Sequence, residues 1–354
     1  LTKSAGSSPF TMRYRDKGPE HMRTGIYGAG SIGCYVGGML AAAGQDTVLF
    51  GRASMGERLA RGITLTRFDG SERRASPDSF RFATDPHALA ECDLVLVCVK
   101  SDGTRAAGET LAAILKPGAV IVSLQNGVSN ARVLRECLGQ RSVLAGMVGF
   151  NVAQIGTDRF HCGTEGEIVI GTGDGAQAFA YALNTAGIPA DISPEIESVQ
   201  WGKLLYNLNN PVNALSGLPL KRQLSTRAYR QVFSALIREA LAVLKAAGIR
   251  PAKIGKVGPN LIPQILDLPD WLFVRLAAGM LQIDKDARTS MAEDLERGRP
   301  PEIDWLNGEI VALGKTTGVA TPANERIVAL VKAAFSGEGP RRYDGQELKK
   351  AMLV

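Results

Sequence analysis

Lys203, Asn207 and Asn210 stand at i, i+4 and i+7 in the stretch "ESVQWGKLLYNLNNPVNALSGLP". At about 100° per residue the three share one face of a helix, while Leu204, Leu205 and Leu208 point elsewhere. A lysine whose proton affinity is tuned by burial or a partner can act as a general acid. In carbonyl reduction, hydride arrives at carbon as oxygen becomes an alkoxide, and a nearby ammonium stabilises that charge and donates the proton. Farther along, "ARTSMAEDLERGRPPEIDWLNGEI" supplies Ser290, Glu302 and Asp304. Glu302 could accept a hydrogen bond from a substrate hydroxyl and act as counter-charge to Lys203. Both segments also admit a plainer reading: a solvated polar helix face around Lys203, and a helix-capping carboxylate at Glu302.

A hydride donor has its own candidate site. Gly28, Gly30 and Gly33 form G-x-G-x-x-G between an apolar strand-like run and a helix-like run. The first glycine permits a tight turn, the second a close approach of backbone to pyrophosphate, and the third close helix–strand packing. The N–H groups over Gly28, Ala29, Gly30, Ser31, Ile32 and Gly33 would face the phosphates. The next strand-like run ends in Arg52, where an NAD-specific fold carries an acid for the ribose hydroxyls. Thr47 to Gly56 contains no Asp or Glu. A planar guanidinium there suits a 2′-phosphate, so NADPH is expected over NADH, unless Arg52 is a solvated surface residue; Arg58 could assist. Lys100, ending "LVCVKS", and Asn126, ending "SLQNG", close two further strand-like runs, where the ligand crevice of such a sheet lies. They are expected near the cofactor phosphates and the nicotinamide ribose. Solvation of the lysine and a plain Asn-Gly turn are the alternatives.

These residues need elements to hold them. "TGIY", "DTVLF", "GITLT", "DLVLVCV" and "AVIVSL" alternate with helix-like segments, which predicts a parallel sheet with helices on both faces. "SVLAGMVGFNVAQI", "EIVIGT" and "PADIS" are expected as further, antiparallel strands. From about Pro194 the pattern turns helical. In "YRQVFSALIREALAVLKAAGIR" the stripe Val232, Phe233, Leu236, Ile237, Ala240, Leu241 and Leu244 follows a helical period and ends at Gly248. "PNLIPQILDLPDWLFVRLAAGML", interrupted by Pro263 and Pro269, is expected as short helices, and "IDWLNGEIVALGKTTG" as another amphipathic helix. The expected organisation is a leader over residues 1–21, an α/β Rossmann-type NADP-binding domain over 22–193, an all-α substrate and catalytic domain over 194–335, and a loose charged tail over 336–354.

The chain of 354 residues is 45% hydrophobic and 21% charged, an ordinary globular composition. No apolar run approaches the roughly 20 residues of a membrane span, and the first residues lack the apolar core of a secretory signal. The net charge of +6 is modest, and no basic cluster marks a nucleic-acid surface. Five scattered cysteines and three histidines, with no CxxC, argue against zinc and for reduced thiols in a cytoplasmic protein. The apolar helices of the second half would serve a homodimer interface or a core equally well.

Taken together, "GIYGAGSIG", "VCVKS", "LQNG", "WGKLLYN", "TSMAEDLERGRPPEID" and the Asn and Gly of "WLNGEI" make the chain, from Met22 to about Ala334, resemble the ketopantoate reductases (2-dehydropantoate 2-reductases). The resemblance implies an N-terminal Rossmann domain, a helical C-terminal domain, and NADPH-dependent reduction of ketopantoate to pantoate toward pantothenate. It implies Lys203 as general acid, Glu302 as the residue that binds substrate and orients the lysine, Asn207 and Ser290 as substrate contacts, and Asn126 beside the nicotinamide. It implies Arg52 and Lys100 at the adenosine-phosphate end. The sequence departs from the pattern in two places. Where members often carry a second asparagine eight residues after the lysine, Pro211 stands here, with Asn210 before it and Asn213 after. The apolar segment 257–283 is also longer. A reductase for another branched 2-oxo acid, and a dinucleotide-sensing protein without turnover, are the alternatives.

Overall fold

The computed structural model describes residues 22–255, 257–276 and 287–352. The expected leader over 1–21 lies outside them, as does the end of the apolar segment beyond 276. Two compact units emerge. One runs to Gln125 and resumes over Ser129–Ile196; the other comprises Asn126–Val128 and the chain from Glu197.

The first unit is α/β. Its elements are β1 (Thr24–Tyr27), α1 (Ser31–Ala42), β2 (Thr47–Phe50), α2 (Ala53–Leu59), β3 (Ile63–Arg67), β4 (Glu72–Ala75), β5 (Arg81–Ala83), β6 (Leu94–Val97), α3 (Thr104–Ile114), β7 (Val120–Ser123), α4 (Asn130–Leu138), β8 (Val143–Val148), β9 (Val152–Ile155), β10 (Arg159–Cys162), β11 (Ile168–Gly171), α5 (Ala176–Thr185) and β12 (Ala190–Ser193). The main sheet has the order β12-β11-β8-β7-β6-β1-β2-β5. Its central strands read as unbroken apolar runs, such as Leu94–Val97, because both faces are covered. β1 pairs in parallel with β2 on one side and β6 on the other, so Tyr27 sits level with Phe50 and Val97. The chain leaves β1 toward β2 and returns on its other side at β6. That reversal is where an open α/β sheet forms its ligand crevice.

Two expectations about this unit need correction. "GITLT" does not join the parallel sheet. It becomes β3 of a second sheet of order β4-β3-β10-β9, antiparallel to β4 and parallel to β10. The reason lies in α1, which buries every residue from Gly33 to Ala41 and has no polar face. A helix apolar all round must be covered on both sides. Gly37 faces Ile26 and Leu49 of the main sheet, while Gly38 faces Ile63 and Leu65 of the second. Likewise, β8 is parallel to β7 rather than antiparallel. β11 is antiparallel to β8 as expected, and β12, parallel to β11, runs against the main sheet with it. Of that group only the β11–β8 and β10–β9 pairings run antiparallel.

The second unit is helical: α6 (Ile196–Asn207), α7 (Asn210–Ser216), α8 (Leu220–Ser225), α9 (Arg227–Ala246), α10 (Ile262–Leu266), α11 (Asp270–Leu276), α12 (Ser290–Glu296), α13 (Asn307–Thr317), α14 (Pro322–Ser336) and α15 (Gly345–Ala351). The α9 stripe lies in the core with Trp201, Leu205, Ile310, Ile327 and Val331; Leu241 is only half-buried and Val243 takes a core place. Arg230 is fully buried on α9. It donates to the carbonyls of Leu224, Leu266 and Leu268 and stacks 4.1 Å from the Phe273 ring, fixing α10 and α11. The described residues of the tail are not loose. Asp344 and Glu347 form a reciprocal capping box on α15, and Leu348 is buried against the α9 layer. Among the described residues, no helix is long and apolar enough to cross a membrane.

Candidate functional site

The glycine cradle is a strand–turn–helix in which each glycine has a distinct physical need. Gly28 adopts φ 113°, and a Cβ there would lie 2.8 Å from the Val99 backbone nitrogen. A Cβ on Gly33 would lie 2.1 Å from the Gly28 carbonyl oxygen, so α1 closes onto its strand only through glycine. Gly30 is different. A Cβ there would meet nothing within 4 Å, so the space in front of it is open. The first bond into α1 is Cys34 N–H to the Gly30 carbonyl, which leaves the N–H groups of Ser31, Ile32 and Gly33 outside the helical ladder. No acidic residue stands in that first turn. A positive helix end facing open space, with no internal carboxylate, fits a phosphate-bearing ligand. Ala29 completes the turn, its N–H on the Phe50 carbonyl at 3.0 Å.

Arg52 lies two residues past the end of β2, after Gly51. It precedes α2 with extended backbone (φ −70°, ψ 147°) and is exposed, as are Ser54 and Arg58. Lys100 occupies the turn between β6 and α3, at the same carboxyl edge as Gly28. That turn rests on a buried polar network that sequence reasoning missed. Gln125 Nε2 donates to the Val99 carbonyl at 3.1 Å and to Thr104 Oγ1 at 2.7 Å, and its Oε1 accepts from Ser123 Oγ at 3.0 Å. Thr104 Oγ1 donates toward Asn130 Oδ1 (2.7 Å) and the Ser101 carbonyl (2.8 Å), and Asn130 Nδ2 donates to Ser101 Oγ at 3.2 Å. A satisfied network of this kind is rigid, and it pins the peptides on both sides of Lys100. The available signal was the glutamine of "SLQNG", two residues after Ser123.

In the second unit, α6 carries Lys203. The helix is held close to the chain after α9: a Cβ on Gly202 would lie 2.3 Å from the Ala252 carbonyl oxygen. Ala252 N–H donates to the Ser198 carbonyl, and Tyr206 OH donates to the Ile254 carbonyl at 2.7 Å. Lys203 as a residue is half-buried. Burial pushes its ammonium down to about 8 from the ordinary lysine range.

The three-residue face expected on one helix is not continuous. α6 ends at Asn207, two turn residues follow, and α7 restarts at Asn210 with Pro211 inside its first turn. Proline fits a helix start because its missing N–H is not needed there. Asn207 stays on α6 with Lys203, and its Nδ2 lies 3.5 Å from Asn126 Oδ1. Asn210 sits on the next helix. Two neighbouring amides are committed internally. Asn209 pairs both ways with Gln223, at 3.0 and 3.2 Å. Asn213, wholly buried, donates to the Leu218 carbonyl and accepts from Thr289. That leaves Asn207 and Asn210 as the amides of this stretch not absorbed by those pairings.

Ser290 opens α12 and is exposed; Thr289 before it caps the helix by accepting from Ala292 N–H. Glu302 does not open a full helix. It precedes a short 3-10 turn, Ile303–Trp305, and makes no side-chain cap bond to it; α13 begins only at Asn307. The cap reading of Glu302 is therefore corrected. Asp304 pairs with Lys332 on α14 at 2.7 Å, a structural use.

Burial pushes the Cys92 and Cys98 thiols up to about 12, which removes them as nucleophiles near neutral pH. Among the described residues, no group of three or more His, Cys, Asp or Glu could hold a metal ion.

Comparison with known proteins gives concordant matches. Residues 24–175 match the family "Ketopantoate reductase PanE/ApbA", and residues 195–335 match "Ketopantoate reductase PanE/ApbA C terminal". A 2-dehydropantoate 2-reductase of Mycobacterium tuberculosis is 30% identical over 326 residues, covering 90% of this chain and 100% of its own. One of Halobacterium salinarum is 28% identical over 323 residues, covering 88% and 99%. The crystal structure of a PanE/ApbA family ketopantoate reductase from Ralstonia eutropha superposes with a TM-score of 0.76 at 31% identity, covering 90% of this chain and 99% of that one. A ternary structure of D-mandelate dehydrogenase with NADH and anilino(oxo)acetate shares the fold, with a TM-score of 0.72 at 20% identity over 89% and 99%.

Proposed function

The chain belongs to the Ketopantoate reductase PanE/ApbA family, and from that premise we propose that it reduces 2-dehydropantoate (ketopantoate) to pantoate with NADPH, a step of pantothenate biosynthesis. At the coarser level it is an oxidoreductase of a family that reduces small 2-oxo acids with a nicotinamide dinucleotide. The observation that carries the reductase reading is Lys203, whose ammonium burial pushes down to about 8 on the helix that also bears Asn207.

Bound NADPH would supply the hydride. The residues that would hold it are Gly28 to Gly33 for the pyrophosphate, Arg52 and Lys100 for the adenosine-phosphate end, and Asn126 for the nicotinamide end. Open space before Gly30 and the lack of any acid from Thr47 to Gly56 support that choice. Lys203 donates its proton to the substrate oxygen as negative charge develops there, and solvent restores it. An ammonium near 8 exchanges its proton readily at neutral pH while staying mostly charged. Glu302 accepts a hydrogen bond from the substrate hydroxyl and balances the lysine charge. Asn207, Asn210 and Ser290 hold the oxo acid by amide and hydroxyl contacts.

A second reading, a reductase for another branched or bulkier 2-oxo acid, rests on the long apolar segment 257–283 in the sequence. The fold does not choose between the two, since it is shared with D-mandelate dehydrogenase. Steady-state assays with NADPH and a panel of 2-oxo acids decide. Ketopantoate should lead in kcat/KM. A bulkier acid leading by orders of magnitude selects the second reading, and NADPH binding without turnover of any acid rejects both.

A further inference from the structure

Ser290 starts a helix of seven residues, too short to fix its own position. Its placement must come from outside the helix. The tie is Asn213 on α7. Its Oδ1 accepts both the Thr289 N–H (3.0 Å) and the Thr289 hydroxyl (3.2 Å), so one carbonyl oxygen grips backbone and side chain of the residue before Ser290. The opposite end of the same amide, Nδ2, donates to the Leu218 carbonyl at 3.0 Å. With both ends bonded and no exposed surface, the amide has one orientation. The Thr289 hydroxyl also lies 3.4 Å from the Asn210 carbonyl and caps α12 by accepting from Ala292 N–H, and Leu220 N–H donates to the Ala287 carbonyl at 2.8 Å. The start of α12 is thereby registered on α7, the helix that follows the lysine-bearing one, while Ser290 itself remains exposed.

We propose that Asn213 is a positioning residue for substrate binding: through Thr289 it sets the Ser290 hydroxyl where the 2-oxo acid is held. This rests on the reductase reading and on Ser290 as a substrate contact. Asn213 then acts on the oxo acid only, through Ser290, and not on the dinucleotide.

The test is a double-mutant cycle on the full chain, with ketopantoate and NADPH. Asn213→Ala should raise KM for the oxo acid roughly ten-fold or more, since misplacing a binding group by about 1 Å can cost up to ~100-fold. The NADPH dissociation constant should not move. In a Ser290→Ala background the Asn213→Ala effect should largely vanish. Should Asn213→Ala fail to fold, Thr289→Val replaces it in both backgrounds, and Thr289→Ser should restore the native KM. Independent multiplication of the two effects overturns the proposal, as does an unchanged KM or an equal loss of NADPH affinity. Ser290→Ala with native KM, in an enzyme that Lys203→Ala silences, overturns it while the reductase reading stands. No turnover of any 2-oxo acid overturns both.

Discussion

Asn207 and Asn126, 81 residues apart in the chain, meet with Nδ2 of the first 3.5 Å from Oδ1 of the second. The contact is long for an amide hydrogen bond, so it is weak. Asn207 shares α6 with Lys203. One amide is thus tied to the helix of the proposed acid, and the other belongs to the "LQNG" segment.

Asn207→Ala should raise KM for the oxo acid by roughly ten-fold, the worth of about 1–1.5 kcal/mol of hydrogen bonding. Steady-state kinetics at saturating NADPH measure it. An unchanged KM would show that Asn207 serves only its neighbour Asn126.

Arg52 is exposed just past the end of β2 with no carboxylate from Thr47 to Gly56. Arg52→Ala should weaken NADPH about ten-fold or more while leaving NADH nearly unaffected, because charge-assisted contacts to phosphate contribute roughly 1.5–3 kcal/mol. Titration of both cofactors by nicotinamide fluorescence measures the ratio. Equal loss for both removes the 2′-phosphate role.

Gly202 precedes Lys203, and a Cβ there would lie 2.3 Å from a backbone oxygen that cannot swing aside. Gly202→Ala should therefore destabilise the protein by roughly 1–3 kcal/mol, read by chemical denaturation. It should also lower turnover by displacing the lysine. A variant as stable and as active as the native chain contradicts the packing described for α6.

Features written in local sequence were legible, and those that depend on distant partners were not. The cradle at Gly28, Gly30 and Gly33 and the α9 stripe follow from short-range spacing alone. The second sheet depends on β3 finding β10, a pairing across nearly a hundred residues that no local pattern encodes, although the lack of a polar face on α1 hinted at a second cover. The break between Asn207 and Asn210 escaped because helical spacing continues through it. Pro211, read as a departure from a family pattern, is also a helix-start signal. The α15 helix was announced by Asp344 and Glu347 at capping-box spacing, a signal masked by the charge of the surrounding tail. Asn213 looked like a spare substrate amide, and only its burial shows that its bonds go to Leu218 and Thr289.

The pH profile of NADPH-dependent ketopantoate reduction tests the role of Lys203 most directly. The acid must be protonated to act, and burial pushes Lys203 down to about 8. kcat/KM should then hold steady below that value and fall ten-fold per pH unit above it. Lys203→Ala should lose this limb together with roughly 10²–10⁴ of activity, with NADPH affinity kept. A native profile that stays level through pH 8 to 10, or a Lys203→Ala enzyme with native turnover, would contradict the assignment.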